Sequence, residues 1–325
     1  MNPTRRLFAL GAIACAALAA TGTALAQFPD KPLRIVVGAP AGGTADIVAR
    51  TLSEGLAQQL GQPVMVDNKP GGAGLIGLQE VLKAPRDGHT VLVSVNGIVS
   101  EIPHAMKLPV DPMKELRPVA EIARTGLLFV AGPNVPASNL KEAIAYVKAN
   151  PGKVNYGSYS PGTLSHTLGL ELNKLAGTDM VHVGYKGSPP ALTDLIGGHV
   201  SFMFDGPATS IPMIKGGKIK VFATTSPTRL SMLPDVPTFA ELGYKDLTET
   251  AWMGLFVTPD VPAAAQARLR EAVVKVLEQP AVRQRFAGMG LDMVPSASAD
   301  ELARSLRAAS DRQVATLKAV GFKPE

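Results

Sequence analysis

Apolar residues along this chain follow two alternating patterns. Short runs such as Leu33-Arg34-Ile35-Val36-Val37, Val91-Leu92-Val93-Ser94-Val95 and Leu127-Leu128-Phe129-Val130 have the length of buried strands. Between them the spacing turns helical, as at Ile47, Thr51, Leu52 and Leu56 before Gly61, and at Leu75, Leu78, Val81 and Leu82 before the turn Pro85-Arg86-Asp87-Gly88. Val64-Met65-Val66 adds a short strand, and Ser138 with Glu142 opens a helix that runs to Ala149.

The second half repeats the plan. Val154-Asn155-Tyr156, Val181-His182-Val183 and residues 200–204, 219–224 and 252–258 read as strands. Leu164, Leu168, Leu172 and Leu175 mark a helix, and residues 191–196, 263–277 and 299–320 read as further helices. Strands separated by helices predict parallel sheets covered on both faces, with right-handed crossovers. Ligands of such sheets lie beyond the carboxyl ends of the strands.

Composition narrows the class. The 325 residues are 46% hydrophobic and 18% charged, which excludes a disordered chain or a coiled coil. About two domains are expected, and a chain of this size buries about three quarters of its unfolded surface without staples. The formal charge of +5 is spread rather than clustered, so no nucleic-acid partner is expected.

The amino terminus reads as an address. Arg5 and Arg6, an Ala-rich apolar stretch from residue 7 to 20, and Ala24-Leu25-Ala26 form the three parts of a secretory signal over residues 1–26, of the general or the twin-arginine type. Its removal takes away Arg5, Arg6 and the single cysteine, Cys15, and lowers the charge from +5 to +3. No later apolar run reaches the roughly 20 residues of a membrane span. An exported, cysteine-free protein has no thiol chemistry and no cysteine metal site.

Two loops carry the clearest functional hint. Val37-Gly38-Ala39-Pro40-Ala41-Gly42-Gly43-Thr44-Ala45-Asp46 joins a strand to a helix, and Tyr156-Gly157-Ser158-Tyr159-Ser160-Pro161-Gly162-Thr163-Leu164-Ser165-His166 does the same in the other half. Glycine lets backbone approach a ligand, and free amides at a helix start favour an anion. Thr44, Ser158, Ser160 and Thr163 add hydroxyl donors. Two such loops would grip a carboxylate from two sides; singly, each is an ordinary strand–helix turn.

Other motifs are weak. There is no phosphate-binding loop with GxxxxGK[ST] spacing and no GxSxG elbow. Gly72-Ala73-Gly74 lacks the rest of a dinucleotide fingerprint. His89, His104, His166, His182 and His199 show no metal-ligand spacing, so neither metal nor cofactor is expected. Asp205 ends a strand, where it either hydrogen-bonds a ligand donor or caps the next helix. An exported α/β enzyme using His166 or Asp205 as general base is the alternative reading, and a ligand sensor for a two-component system a third. For the enzyme, no orienting third group is evident.

The loops belong to a longer pattern. Pro40-Ala41-Gly42-Gly43 with Asp46, Val66-Asp67-Asn68-Lys69-Pro70-Gly71-Gly72-Ala73-Gly74, Pro85-Arg86-Asp87-Gly88-His89-Thr90, Asn155-Tyr156-Gly157-Ser158, Tyr185-Lys186-Gly187 and Leu233-Pro234-Asp235-Val236-Pro237-Thr238 occur in order. Together they resemble the Bug-type substrate-binding receptors of tripartite tricarboxylate transporters. The resemblance implies an α/β, two-lobe periplasmic-binding-protein (Venus-flytrap) fold, with two mixed sheets flanked by helices and joined by two crossover strands. It implies one lobe of residues 27–127 plus 250–325 and another of 128–249. It implies a monomeric periplasmic receptor whose partners are a small organic acid (a di- or tricarboxylate, amino acid or aromatic carboxylate) and the transporter's membrane subunits. Ligand contacts carried over are Ala41, Gly43, Ser158, Gly162 and Thr163, with Thr44, Ser160 and Asp205 beside them. Tyr159, Ser160 and Pro161 depart from the family pattern, which puts the identity of the acid in question.

Overall fold

The computed structural model describes residues 28–293 and 297–324. The export segment expected at residues 1–26 lies outside them. Ten strands form two five-stranded sheets. The first contains β1 (Leu33–Val37), β2 (Val64–Asn68), β3 (Thr90–Val95), β4 (Arg117–Thr125) and β10 (Ala251–Val257), in the order β2-β1-β3-β10-β4. The second contains β5 (Leu128–Ala131), β6 (Asn155–Ser158), β7 (Val181–Gly184), β8 (Phe202–Asp205) and β9 (Lys220–Thr224), in the order β7-β6-β8-β5-β9.

Nine helices of two turns or more occur among the described residues, six between the strands and three after the last: α1 (Thr44–Leu60), α2 (Leu75–Lys83), α3 (Leu140–Ala149), α4 (Leu164–Ala176), α5 (Ser188–Gly197), α6 (Pro207–Lys215), α7 (Ala263–Glu278), α8 (Pro280–Gly288) and α9 (Ala299–Ala319). Pairing is mixed rather than all parallel. β1 runs parallel to β2 and β3, whereas β10 is antiparallel to β3 and β4. Likewise β6 is parallel to β7 and β8, and β5 is antiparallel to β8 and β9. The reason is topological: β5 and β10 enter their sheets from the other sheet, without the helical crossover that forces parallel pairing.

Alternation along the strands divides each lobe into two cores. Leu33, Ile35 and Val37 pack with Val48, Leu52 and Leu56 of α1 and with Leu269, Val273 and Val276 of α7. Val36 and Leu92 face the other way, against Leu78, Trp252, Phe256, Leu302 and Leu306. Both faces are covered, so the strands read as unbroken apolar runs. In the second lobe Phe129 packs on Phe202 and Phe204 at ring distances of 5.2 and 4.8 Å, while Leu128, Val130 and Met203 face Ala191, Leu195 and Ile211. Each fully buried leucine contributes roughly 2 kcal/mol.

The two crossing passages run side by side. Leu127 N donates to Thr225 Oγ1 at 2.8 Å, Gly126 N to Ser226 Oγ at 3.1 Å, and Glu249 N to the Thr225 carbonyl at 3.0 Å. A third link is α9, which sits on the first lobe through Leu302 and Leu306 but reaches the second. Gln313 Nε2 donates to the Gly162 carbonyl at 3.1 Å, Thr316 Oγ1 to Glu171 at 3.2 Å, and Lys174 Nζ to the Ala319 carbonyl at 2.9 Å.

Two local readings change. The helix start assigned to Ser138 belongs to Asn139, whose side chain accepts from Glu142 N at 2.9 Å; Ser138 N instead donates to the Glu142 carboxylate at 2.8 Å. β4 and α8 carry no clean apolar period and were not anticipated.

Candidate functional site

A cavity of about 210 Å³ lies between the sheets, beyond the carboxyl ends of β1, β3 and β6. Its wall is mostly apolar, with Ile98, Ile102, Leu127, Leu164 and Met253 among its residues. The first lobe contributes residues 38–40, 43–45 and 71–74, and the second contributes Tyr159, Ser160, Thr163, Tyr185, Lys186, Gly187, Ser188 and Gly206. Thr125 and Ala251, at the crossing passages, border the cavity as well.

In the first loop, Gly43 caps α1 and its carbonyl accepts from Ile47 N at 3.0 Å. Asp46, 3% exposed, braces the loop by accepting from Gly42 N at 2.9 Å and from Arg50 Nε at 3.0 Å. Burial pushes its carboxyl up, but the Arg50 guanidinium and the Gly42 amide outweigh it, so its pKa is lowered. The next amides, those of Thr44 and Ala45, have no partner among the described residues, and the buried Thr44 hydroxyl has none either. That hydroxyl lies against Gly206 of the other lobe, where a β-carbon would come within 2.8 Å of it. Beside this loop, residues 71–74 all have positive φ, including Ala73 at 53°. A β-carbon on Gly38 would stand 2.9 Å from the Gly74 α-carbon, so the two loops pack backbone to backbone because residue 38 is glycine.

The second loop is built differently. Ser158 Oγ donates to the Ser160 carbonyl at 3.2 Å and pairs with His182 Nε2 at 2.6 Å. Gly162 N donates to His166 Nδ1 at 3.0 Å, and Thr163 Oγ1 to the Ser160 carbonyl at 2.7 Å. Leu164 N, at the start of α4, donates across the cleft to Glu101 Oε2 at 2.8 Å. The His166 and His182 rings stack 3.8 Å apart. Burial, with His182 beside it, pushes His166 down to about 3, and burial takes His182 to about 4, so both are neutral acceptors or donors at pH 7.

Asp205 stands behind this loop, fully buried. It accepts from Tyr159 Oη at 2.9 Å, Thr209 Oγ1 at 2.7 Å and Ser210 Oγ at 2.5 Å. Tyr159 Oη also accepts from Gly206 N at 2.7 Å. Burial raises the Asp205 carboxyl against the lowering by these hydroxyls. Ser188, 6% exposed, leans toward Asp205 and borders the cavity, yet its hydroxyl completes no hydrogen bond.

Of the residues expected from sequence, Gly43, Thr44, Ser160 and Thr163 meet on the cavity wall. Four do not. Ala41 is exposed outside it. Ser158 is fully buried on His182; Gly162 faces Ala105, whose β-carbon its own would overlap; Asp205 is screened by Tyr159. Sequence reasoning missed Ser188, although Gly187-Ser188-Pro189-Pro190 is a helix-start signal. It also missed Glu101, whose signal was a lone acid in the apolar stretch Ile98-Val99-Ser100-Glu101-Ile102. Burial, eased by the Leu164 amide and reinforced by the Glu249 carboxylate, raises Glu101 to about 7.

Known proteins agree with this architecture. The profile of the family described as tripartite tricarboxylate transporter family receptor matches residues 48–322. The periplasmic binding protein BugD superposes with a TM-score of 0.87 at 30% identity, over 92% of this chain and 100% of BugD. A Rhodopseudomonas palustris protein solved with adipate gives 0.87 at 27% identity, over 92% of this chain and 100% of that one. MatC from Rhodopseudomonas palustris, with bound malate, gives 0.81 at 31% identity over 89% and 100%. The chain belongs to the tripartite tricarboxylate transporter receptor family.

Proposed function

We propose that this protein is a periplasmic solute-binding receptor that closes its two lobes on a small organic carboxylate and passes it to the membrane subunits of a tripartite transporter. The observation that carries this reading is the start of α1. Two amides and one buried hydroxyl there lack partners among the described residues, on the wall of a mostly apolar cavity bounded by both lobes. A helix start with free amides favours an anion, and the helix dipole adds about half a positive charge. Adipate and malate in two structural neighbours support a carboxylate as that anion.

The lobes in this reading are residues 27–127 with 250–325, and 128–249, working as a monomer after export with residues 1–26 removed. Ligand contacts on both lobes stabilise the closed state over the open one. Gly43 and Thr44 meet the carboxylate, and Ser160, Thr163 and Ser188 complete the opposite wall. Catalysis is not part of the reading, because His166 and Asp205, the bases an enzyme would use, are turned into the second lobe's own hydrogen bonds.

Calorimetry with a panel of organic acids on refolded protein is the direct test, together with mass spectrometry of any acid released when freshly purified protein is unfolded. Binding of at least one acid that is released unchanged is expected. An empty panel with no co-purified acid removes the reading, and turnover of a bound acid replaces it with the enzyme.

A further inference from the structure

Glu101 is the one carboxylate on the cavity wall among the described residues, and Lys186 the one cation. The side chain of Glu101 folds back over Gly97 and sits among Ile98, Ile102 and Leu164. One oxygen takes the Leu164 amide; the other has no partner among the described residues. An acid drawn to the free amides of α1 therefore shares a mostly apolar cavity with a fixed carboxylate. Like charges in such a space repel strongly, and an unpaired charge there seeks a donor.

We infer that Glu101 sets the chemical class of the ligand: a monocarboxylate whose second polar group is a hydrogen-bond donor, an ammonium or a hydroxyl, and not a second carboxylate. The inference rests on the receptor reading above and narrows it. It also separates this chain from the neighbours solved with adipate and malate.

The surroundings give the choice a pH signature. The charged group felt by Glu101 is Glu249, which pairs with Arg312 at 3.8 Å; near it in the chain are the neutral His166, two residues after Leu164 on α4, and His104 on its own segment, whose Nε2 meets Ser310 Oγ at 2.6 Å. Lys186 lies on the same wall. With its carboxyl raised to about 7, Glu101 must take up a proton to admit a second carboxylate and gives one up beside an ammonium. Dicarboxylates then bind better as pH falls through 7, and amino acids bind better as it rises.

The test is calorimetry at pH 8 and pH 5.5 with three series of three to six carbons: α,ω-dicarboxylates, ω-amino acids and ω-hydroxy acids. Native protein and Glu101→Gln are compared, because Gln keeps an acceptor for the Leu164 amide. At pH 8 the native protein is expected to bind an amino or hydroxy acid at least tenfold more tightly than the dicarboxylate of equal length. In Glu101→Gln that preference is expected to vanish or reverse. Buffers of different ionisation enthalpy report the proton uptake in the native protein alone, which covers a variant that misfolds.

A native preference for the dicarboxylate at pH 8, or an order unchanged in the variant, overturns the inference. So does failure of every probe in all three series. The receptor reading falls only if the wider organic-acid panel and the search for a co-purified acid are empty too.

Discussion

The loops that open α1 and α4 look alike in sequence, each a glycine-rich turn running into a threonine and a helix, yet they differ in what becomes of the first helical amide. At α1 the amides of Thr44 and Ala45 are left open toward the cavity. At α4 the counterpart of the Thr44 amide, that of Leu164, is already used by Glu101, while the glycine amide just before the cap is used in both loops, Gly42 N by Asp46 and Gly162 N by His166. The motif therefore specifies a helix start, not a vacancy. Whether that start can hold a ligand is decided by side chains far away in the sequence. In the proposed receptor the pair acts less as two jaws than as a gripping loop and a seating loop.

The largest test of that difference is Gly162→Val. Gly162 has φ of +80° and faces Ala105 across the cleft. A β-branched residue there meets both strain and overlap, at a cost of about 3 kcal/mol or more. The variant is expected to stay open, with a larger radius of gyration in solution scattering and ligand affinity at least a hundredfold weaker. Normal closure would remove the seating role.

Next comes removal of the occupant at α4. Glu101 is raised in the folded state from 4.5 to about 7, so the folded protein holds the extra proton between those values and loses stability as pH rises through them. Gln mimics the protonated acid. Glu101→Gln is expected to melt at the same temperature as the native protein at pH 4. At pH 8 it should be more stable by about 3 kcal/mol, since each pKa unit is worth about 1.4 kcal/mol. Equal melting at both pH values would mean that the carboxylate is well solvated.

The smallest effect sharpens the contrast from the other side. Thr44→Val removes a hydroxyl with no partner among the described residues. Thermal melting should therefore be unchanged or slightly higher, while affinity for a bound acid drops about tenfold, the loss of one hydrogen bond to a charged group. A drop in stability without a drop in affinity would give Thr44 a structural role.

What could be read from the chain follows the same line. Buried strands such as β1 and β3 announce themselves because both faces are covered and polar positions are few. β4 hides because Glu121 and Arg124 interrupt it. Their ion pair at 2.8 Å, with the Glu121 side chain 2% exposed, puts charge where an apolar residue would have marked the strand. Strand direction was illegible, since nothing in β5 or β10 records that it arrives from the other lobe. At the site, Gly43 and Thr44 were legible because their role is local. Ser158, Gly162 and Asp205 were not, because His182, Ala105 and Tyr159 reach them only in the folded chain.

Helix α9 gives the receptor a second way to set its affinity. Its contacts from Gln313 to Gly162, from Thr316 to Glu171 and from Ala319 to Lys174 bind the lobes together without touching the cavity. Strengthening them raises the share of molecules already shut, and the apparent dissociation constant scales inversely with that share. How tightly an acid is held can thus drift through substitutions on an outer helix while the choice of acid stays fixed.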